Sequence, residues 1–231
     1  MIDEERHPTV ATRAAGVEKL LPAGVIAFEI HGAGSPEDLF PSERECVARA
    51  VPKRVNEFAA GRVCARAALA ASGFEPAPLL VADDRTPIWP AGAVGSITHT
   101  AGYCVAVVSL QNRLAGIGVD VEQLGHVKPS LWHMTMRPEE ISALDSLDET
   151  QRLRTASILF SAKEAFYKCQ YALTRQWLGF EDVRVTVATD TFELDIVNAT
   201  HPIHAVRAQW TGRFSVNDRF VVTAISAEPA R

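Results

Sequence analysis

The sequence has no closely spaced cysteine pair, no excess of positive charge and no apolar run of membrane-spanning length. Its four cysteines are far apart: Cys46, Cys64, Cys104 and Cys169. This spacing excludes a disulfide framework and a cysteine-based zinc site, and it favours a reducing, cytoplasmic compartment. The net charge of −5 argues against a general nucleic-acid binder. We therefore expect neither a nucleic acid nor a membrane as a partner.

What is present is the composition of an ordinary globular protein. The 231 residues, 47% hydrophobic and 22% charged, are enough for one large domain or two small ones. Blocks with strand and helix periodicity alternate and include hairpins, which predicts an α+β fold and not a doubly wound sheet. We place a boundary at the polar turn 111–113, between an N-terminal half (1–113) and a C-terminal half (114–231). No internal repeat relates the two halves in sequence.

Apolar spacing and turn residues predict the individual elements. Helices are expected over 1–24, 41–50, 53–72 and about 149–175, with a shorter helix that has Ser142 near its start. Strands are expected over 25–30, 94–98, 103–110, 114–122, 182–187, 191–197, 205–215 and 219–226. The helix near 149–175 has the strongest apolar stripe, which predicts that it packs against the core.

The strand at 116–122 alternates strictly and has two unlike faces. One face is apolar, and the other carries Gly118, Asp120 and Glu122. Two carboxylates on one side repel each other, and a bound divalent cation relieves that repulsion. The alternative is a half-exposed strand whose acidic face meets water.

The long helix carries Glu164 and Lys168 four residues apart, at the edge of its apolar stripe. Such a pair is often a surface ion pair that stabilises the helix slightly. If the helix instead packs across the 116–122 strand, Glu164 becomes a third carboxylate beside Asp120 and Glu122. Three carboxylates predict a hard-cation site that water and phosphate oxygens complete. Lys163 and Lys168 then supply positive charge to an anionic substrate.

Other basic residues have two interpretations as well. Arg62 and Arg66 share a face of the 53–72 helix, with Arg54 about 80° away, although most helical arginines are simply solvated. His99 lies on a tight turn and is a hydrogen-bond donor candidate, although a lone histidine is more often structural.

Four ordered blocks resemble the Sfp-type 4′-phosphopantetheinyl transferases, in the siderophore-synthase-component branch. The paired signature is Gly-Ile-Gly-Val-Asp-Val-Glu at 116–122 and Phe-Ser-Ala-Lys-Glu-Ala-Phe-Tyr-Lys at 160–168. The branch-specific blocks are Arg-Val-Asn-Glu-Phe-Ala-Ala-Gly-Arg at 54–62, and Pro-Ile-Trp-Pro at 87–90 leading to Gly-Ser-Ile-Thr-His at 95–99. Together the blocks are highly specific. The resemblance implies two similar α+β halves about a pseudo-twofold axis, with coenzyme A in the cleft of a monomer.

The resemblance also implies roles for individual residues. The metal-binding acids, for Mg²⁺ or Mn²⁺, are Asp120, Glu122 and Glu164. The contacts to coenzyme A phosphates are Thr98 and His99, with Arg54 and Arg62 near the 3′-phosphate and Lys163 and Lys168 beside the pyrophosphate. Arg85 stands roughly where relatives carry a basic residue, but Asp83 and Asp84 replace the glycine-containing loop expected before it.

The implied reaction transfers 4′-phosphopantetheine from coenzyme A to a serine of an apo acyl or peptidyl carrier protein and releases 3′,5′-ADP. Glu164 is the expected base, Lys168 stabilises the leaving oxygen, and Asp120 holds the metal. Such enzymes serve fatty-acid, polyketide, nonribosomal-peptide and siderophore biosynthesis. Two alternatives stay open: a hydrolase of a nucleotide pyrophosphate, and a non-catalytic module that binds coenzyme A.

The stretch 127–154 has two interpretations, as core or as a docking surface for the carrier protein. Its apolar residues are Leu131, Trp132, Met134 and Met136, and the basic residues around them are Lys128, Arg137, Arg152 and Arg154. An apolar centre with a basic rim is a reasonable arrangement for a protein interface. Because it directly follows the acidic strand, a carrier docked there places its serine near the metal.

Overall fold

The computed structural model describes residues 9–229. The helices in this range are α1 (Ala15–Glu18), α2 (Pro41–Cys46), α3 (Pro52–Ala71), α4 (Trp132–Thr135), α5 (Pro138–Asp145) and α6 (Glu149–Thr174). The strands are β1 (Thr12–Arg13), β2 (Ile26–His31), β3 (Ala93–Thr100), β4 (Tyr103–Leu110), β5 (Gly116–Gln123), β6 (Val183–Val187), β7 (Thr191–Ile196), β8 (Ala208–Val216) and β9 (Phe220–Pro229). The α+β prediction is confirmed, with two sheets.

The first sheet contains four antiparallel strands in the order β1-β2-β4-β3. Helix α3 packs on one face of it through small residues, among them Cys64, Ala65 and Ala68, and contacts Ala106 and Val108 of β4. This helix begins at a proline, which is favourable in the first turn because that position needs no N–H donor.

The second sheet contains five antiparallel strands in the order β5-β9-β8-β7-β6. Helix α6 lies across it and buries an apolar face that includes Ile158, Ala162 and Phe166. Its first turn is capped by Asp148, whose carboxylate accepts a hydrogen bond from the amide of Gln151 at 2.8 Å. The apolar stripe of the sequence therefore faces the sheet as predicted.

The two sheets meet along β3 and β5, which pack together without forming a ladder. The amide of Val119 donates to Ser96 Oγ at 3.1 Å, and the amide of Val121 donates to Thr98 Oγ1 at 3.2 Å. The apolar face of β5 joins a core that also contains Val105 and Val107 of β4. Strand β5 is consequently buried on both faces, and its polar face lies against α6.

Gly118 allows α6 to approach β5 closely. A Cβ atom at this position lies 1.9 Å from the carbonyl oxygen of Ala165 on α6, far inside van der Waals contact. The neighbouring Gly116 is also tight, with Cys169 atoms 3.1 Å from a Cβ there. Only a residue without a side chain permits this packing at position 118.

Several predicted boundaries need correction. The helix expected to have Ser142 near its start begins earlier, at Pro138, and the helix expected to reach residue 50 ends at Cys46. The strand expected from 205 starts at Ala208, because Pro202–Ala205 forms a 3₁₀ turn. Residues 1–8 of the helix predicted over 1–24 lie outside the described residues, and residues 9–24 contain strand β1 and only the four-residue helix α1. From residue 9 to residue 229, no helix is both long and apolar enough to cross a bilayer.

We expect Gly118→Ala to lower the free energy of unfolding by at least about 2 kcal/mol, because the helix must shift away from the strand. At roughly 2–4 °C per kcal/mol, the melting temperature falls by several degrees. Gly16→Ala is the matched control, since a Cβ there meets nothing within 4 Å. Equal melting temperatures for the two variants contradict the packing argument.

Candidate active site

Asp120 joins the two sheets and α6 at one point. Its carboxylate is buried, and Oδ1 accepts hydrogen bonds from Lys168 Nζ at 2.7 Å and from Thr98 Oγ1 at 3.0 Å. Oδ2 accepts from Ser161 Oγ at 2.8 Å. Lys168 also donates to the carbonyl oxygen of Val119 at 3.1 Å. Side chains from β3, β5 and α6 therefore converge on a single carboxylate.

The structure brings the other two predicted carboxylates into the electrostatic field of Asp120. Burial raises the pKa of Glu122 to about 7, and the charges of Asp120 and Glu164 act in the same direction. Burial also raises the pKa of Glu164, and the negative charge of Asp120 adds to this effect. Lys168 opposes both shifts. Three half-buried or buried acids with one ammonium form an electrostatically coupled group.

The donor set of this group fits a hard divalent cation, because carboxylate oxygens are the ligands that Mg²⁺ prefers and a cation relieves their mutual repulsion. The side chains as they stand do not form a ligand shell. In the described part of the chain, no three histidine, cysteine or acidic residues surround a common point. Lys168 instead contacts the Oδ1 atom of Asp120. The residues that would hold a cation are therefore present, with an ammonium beside the first of them.

His99 and Arg54 lie at the border of the same group. Arg54 Nη1 is 2.8 Å from His99 Nε2, and Glu57 lies 3.8 Å from the other ring nitrogen. Burial lowers the pKa of His99, and the charges of Arg54 and Lys168 lower it further against the effect of Glu57. The imidazole is thus neutral near pH 7 and accepts a hydrogen bond from the guanidinium. Arg54 is half exposed and open to an anion.

Lys163 lies elsewhere, which corrects its expected position beside the substrate. Its ammonium is fully buried and donates to Glu140 Oε2 at 2.7 Å and to the carbonyl oxygen of Phe180 at 2.9 Å. Burial lowers its pKa, and Glu140 opposes that shift. The other oxygen of Glu140 accepts a hydrogen bond from the amide of Val185 at 2.7 Å. Because consecutive helical residues are about 100° apart, Lys163 points away from the side that Glu164 uses.

Arg62 is the second correction, since it does not reach the group around Asp120. Its side chain is buried in the first half, where Nε donates to the carbonyl oxygen of Leu79 at 2.7 Å. The guanidinium also lies 3.9 Å from the ring centroid of Phe58. Burial lowers its pKa to about 10, against the effect of Glu43. These contacts make Arg62 a structural residue in this conformation.

Arg85 borders a cavity of about 280 Å³ that Lys168 also lines. It is exposed and has a left-handed backbone, with φ 67°. The cavity lies between the loop that carries Arg85 and the C-terminal part of α6, where Tyr171 and Arg175 contribute to its wall. Sequence reasoning missed these two residues and Ser161. Ser161 and Lys168 are two helical turns apart and so share a face of α6. This spacing is the feature of the sequence from which Ser161 could have been predicted.

The expected docking surface is only partly a surface. Trp132 and Met136 are core residues, and Trp132 Nε1 donates to the carbonyl oxygen of Val127 at 3.2 Å. Leu131 and Met134 are exposed, the latter by 63%. Two of the four basic residues expected around these side chains are occupied by other contacts. Arg152 donates hydrogen bonds to carbonyl oxygens at the end of α5, and Arg137 donates to Glu139 and to the carbonyl oxygen of Glu181. Lys128 and Arg154 are exposed.

Comparisons with known proteins agree with the motifs. The model of the 4′-phosphopantetheinyl transferase N-terminal domain matches residues 42–109, and that of the 4′-phosphopantetheinyl transferase superfamily matches residues 116–225. The chain is 36% identical over 223 residues to the 4′-phosphopantetheinyl transferase Npt of Nocardia iowensis, covering 91% of this chain and 99% of that protein. It is 38% identical over 210 residues to PptT of Mycobacterium tuberculosis, covering 89% and 84%.

Two further proteins are more distant. Enterobactin synthase component D of Salmonella typhimurium is 34% identical over 187 residues, covering 76% of this chain and 73% of that protein. A holo-(acyl-carrier-protein) synthase from Bacillus anthracis, solved with CoA (3′,5′-ADP), overlays with a TM-score of 0.42 at 18% identity, over 51% of this chain and 99% of that one. The family matches and the two relatives that span nearly the whole chain confirm the resemblance: this protein belongs to the 4′-phosphopantetheinyl transferase superfamily and is a phosphopantetheinyl transferase.

Proposed function

We propose that this protein transfers the 4′-phosphopantetheine group of coenzyme A to a serine hydroxyl of an apo acyl or peptidyl carrier protein, in the presence of Mg²⁺, and releases 3′,5′-ADP. The observation that carries this proposal is the convergence of Asp120, Glu122, Glu164 and Lys168 at the junction of the two sheets. Phosphoryl transfer needs positioning and neutralisation of charge more than it needs covalent chemistry, and this group supplies both.

The residues have distinct tasks in the proposed reaction. Asp120, Glu122 and Glu164 would hold the cation, with Mn²⁺ as an alternative because it takes the same oxygen ligands. When bound, the cation neutralises charge on the pyrophosphate. The serine oxygen forms a bond to the phosphorus that carries pantetheine, its proton goes to Glu164, and the bond from that phosphorus to the oxygen of 3′,5′-ADP breaks. Lys168 donates a hydrogen bond to that leaving oxygen.

The basic residues at the border of the group bind the rest of the nucleotide in this proposal. Arg54 and His99 lie in contact beside Lys168 and are accessible to phosphate. The resemblance implies that Thr98 contacts a coenzyme A phosphate, but Thr98 is buried and its hydroxyl orients Asp120 instead, accepting from the amide of Val121 while donating to the carboxylate. Arg85, at the cavity beside Lys168, is the remaining candidate for a phosphate contact.

The wider setting of the enzyme is part of the proposal. The two sheets meet at β3 and β5, which supports the proposal that the substrate cleft lies between the N-terminal half (1–113) and the C-terminal half (114–231). Four free thiols, three of them buried, support a reducing compartment such as the cytoplasm. We propose that the protein acts there as a monomer on carriers of siderophore or other secondary-metabolite synthesis. A similar protein that is named enterobactin synthase component D supports this proposal.

Product analysis separates the two rival activities. A hydrolase of nucleotide pyrophosphates releases product without a carrier protein, and a binding module yields none. Incubation with coenzyme A, Mg²⁺ and an apo carrier, followed by intact-mass measurement of the carrier, tests transfer directly. Consumption of coenzyme A in the absence of any carrier contradicts the proposed function.

We expect Asp120→Asn to lower kcat/KM by about 10²–10³-fold while the protein stays folded, because the charge is lost whereas the amide oxygen still accepts from Lys168 and Thr98 and the amide nitrogen can donate to Ser161 Oγ. Asp120→Ala is expected also to lower the free energy of unfolding by about 1–3 kcal/mol, because the alanine removes the buried acceptor that Lys168, Ser161 and Thr98 share. The measurements are carrier mass and melting temperature, with the exposed Asp83→Asn as control. If Asp120→Asn turns over at the wild-type rate at saturating Mg²⁺, Asp120 is not a catalytic, metal-binding residue.

We expect Arg54→Ala to weaken binding of coenzyme A by about tenfold or more and to leave binding of 3′-dephospho-coenzyme A nearly unchanged, because a charge-assisted contact is lost only where the phosphate exists. Titration calorimetry with both ligands measures this difference. Lys53→Ala, one residue away and highly exposed, is the control. Equal losses for both ligands place Arg54 away from the 3′-phosphate.

We expect Met134→Asp to raise the KM for the carrier protein at least about fivefold and to leave the KM for coenzyme A unchanged, because an exposed apolar contact is replaced by a carboxylate that is costly to desolvate at an interface. The melting temperature stays the same. Trp132→Ala instead destabilises the fold by about 3–5 kcal/mol, since its ring is buried. An unchanged carrier KM for Met134→Asp rejects this surface.

A further inference from the structure

Two residues with unusual backbone conformation line the cavity beside Lys168. Arg85 has φ 67° and Arg175 has φ 53°, and among residues 9–229 they are the only non-glycine residues with positive φ. Both line the same cavity of about 280 Å³, although one lies before β3 and the other directly after α6. Arg175 takes this conformation as the residue that ends α6, whereas Arg85 lies in a loop, where positive φ in a non-glycine residue persists because surrounding contacts hold it.

The contacts that connect the two segments are made by Asp84. Its Oδ2 accepts hydrogen bonds from Tyr171 Oη at 3.1 Å and from Arg175 Nη1 at 3.4 Å. Arg175 Nη1 also donates to Thr86 Oγ1 at 3.3 Å. On its own loop, Asp84 Oδ1 accepts from the amide and hydroxyl of Thr86, at 3.0 and 2.6 Å, so the carboxylate is held in place.

The cavity that these residues line has charged groups of both signs. Lys168 contributes an ammonium that also contacts Asp120, so the cavity adjoins the catalytic group. Asp84 contributes a carboxylate, and Trp89 and Gly95 supply apolar wall. The phosphates of a nucleotide are attracted to Lys168 and repelled by Asp84, which favours the uncharged base beside Asp84.

We propose that Asp84, Tyr171 and Arg175 form a clasp that closes over the nucleotide end of coenzyme A and slows its release. The inference rests on the proposed function, because it takes coenzyme A as the ligand. The clasp connects a loop of the first half to the end of α6 in the second half, so a ligand between them leaves only when these contacts open. The side chain of Arg175 is 61% exposed and that of Asp84 34%, so the contacts are weak and break readily during each turnover.

The rate of nucleotide release tests the clasp without any transfer reaction. Coenzyme A labelled with a fluorophore on its thiol, far from the nucleotide, is bound to the protein and displaced by excess unlabelled coenzyme A in a stopped-flow instrument. Asp84→Ala and Arg175→Ala are each expected to raise the dissociation rate constant about two- to fivefold. Tyr171→Phe, which removes one hydroxyl, gives a smaller increase. The matched control is Asp83→Ala, since the exposed carboxylate next to Asp84 has no polar partner within the described range.

Two features separate a clasp from independent ligand contacts. In the double variant Asp84→Ala/Arg175→Ala, the rise in the dissociation rate is expected to be smaller than the product of the two single effects, because both changes break the contact between Asp84 and Arg175. At about 1 M salt, where charges are screened beyond roughly 3 Å, the difference between wild type and Asp84→Ala is expected to shrink.

The outcomes distinguish the clasp from the proposed function. Unchanged release from Asp84→Ala and Arg175→Ala, in a protein whose wild type modifies carriers, overturns the clasp and leaves the transferase standing. Single effects that multiply in the double variant also overturn it. A wild type that neither binds coenzyme A nor modifies a carrier rejects the proposed function itself.

Discussion

The close approach of α6 to β5 at Gly118 is the constraint on which the rest of the site depends. With only 1.9 Å between a Cβ at this position and the carbonyl oxygen of Ala165, the helix lies directly on the strand backbone. Asp120 lies two residues after Gly118 on β5, and Ser161 lies one turn before Ala165 on α6. The close contact brings Ser161 Oγ to 2.8 Å from Asp120 Oδ2. A larger residue at position 118 pushes α6 away from β5 and separates the side chains of the two elements that meet across this contact.

Asp120 then connects elements that the chain keeps far apart. Thr98 reaches it from the first sheet, and Ser161 and Lys168 reach it from α6. Burying this carboxylate without its partners costs several kcal/mol, so the hydrogen bonds are a requirement of folding as well as of function. The neighbouring acids, Glu122 and Glu164, are compensated only in part, by the charge of Lys168, and burial raises the pKa of both. Their unfavourable proximity is the property that a cation or a proton relieves.

Basic residues with similar sequence surroundings have opposite structural roles. Lys168 faces Asp120, whereas Lys163, only five residues earlier, is buried against Glu140 on another side of the same helix. Arg54 is half exposed beside His99, whereas Arg62 on the same helix is buried against Phe58 and Leu79. A motif that contains two lysines or two arginines therefore does not by itself indicate which of them meets the solvent.

The sequence by itself determined the α+β class, most helices and strands, and the face of β5 that carries Gly118, Asp120 and Glu122, because local periodicity depends only on the order of residues. It also determined the family, through the motif blocks. Only the tertiary structure decided that this acidic face is buried under α6, that Lys163 is turned away and that Trp132 belongs to the core. Those outcomes depend on which elements pack together and at what rotation, and such long-range contacts leave no period in the sequence.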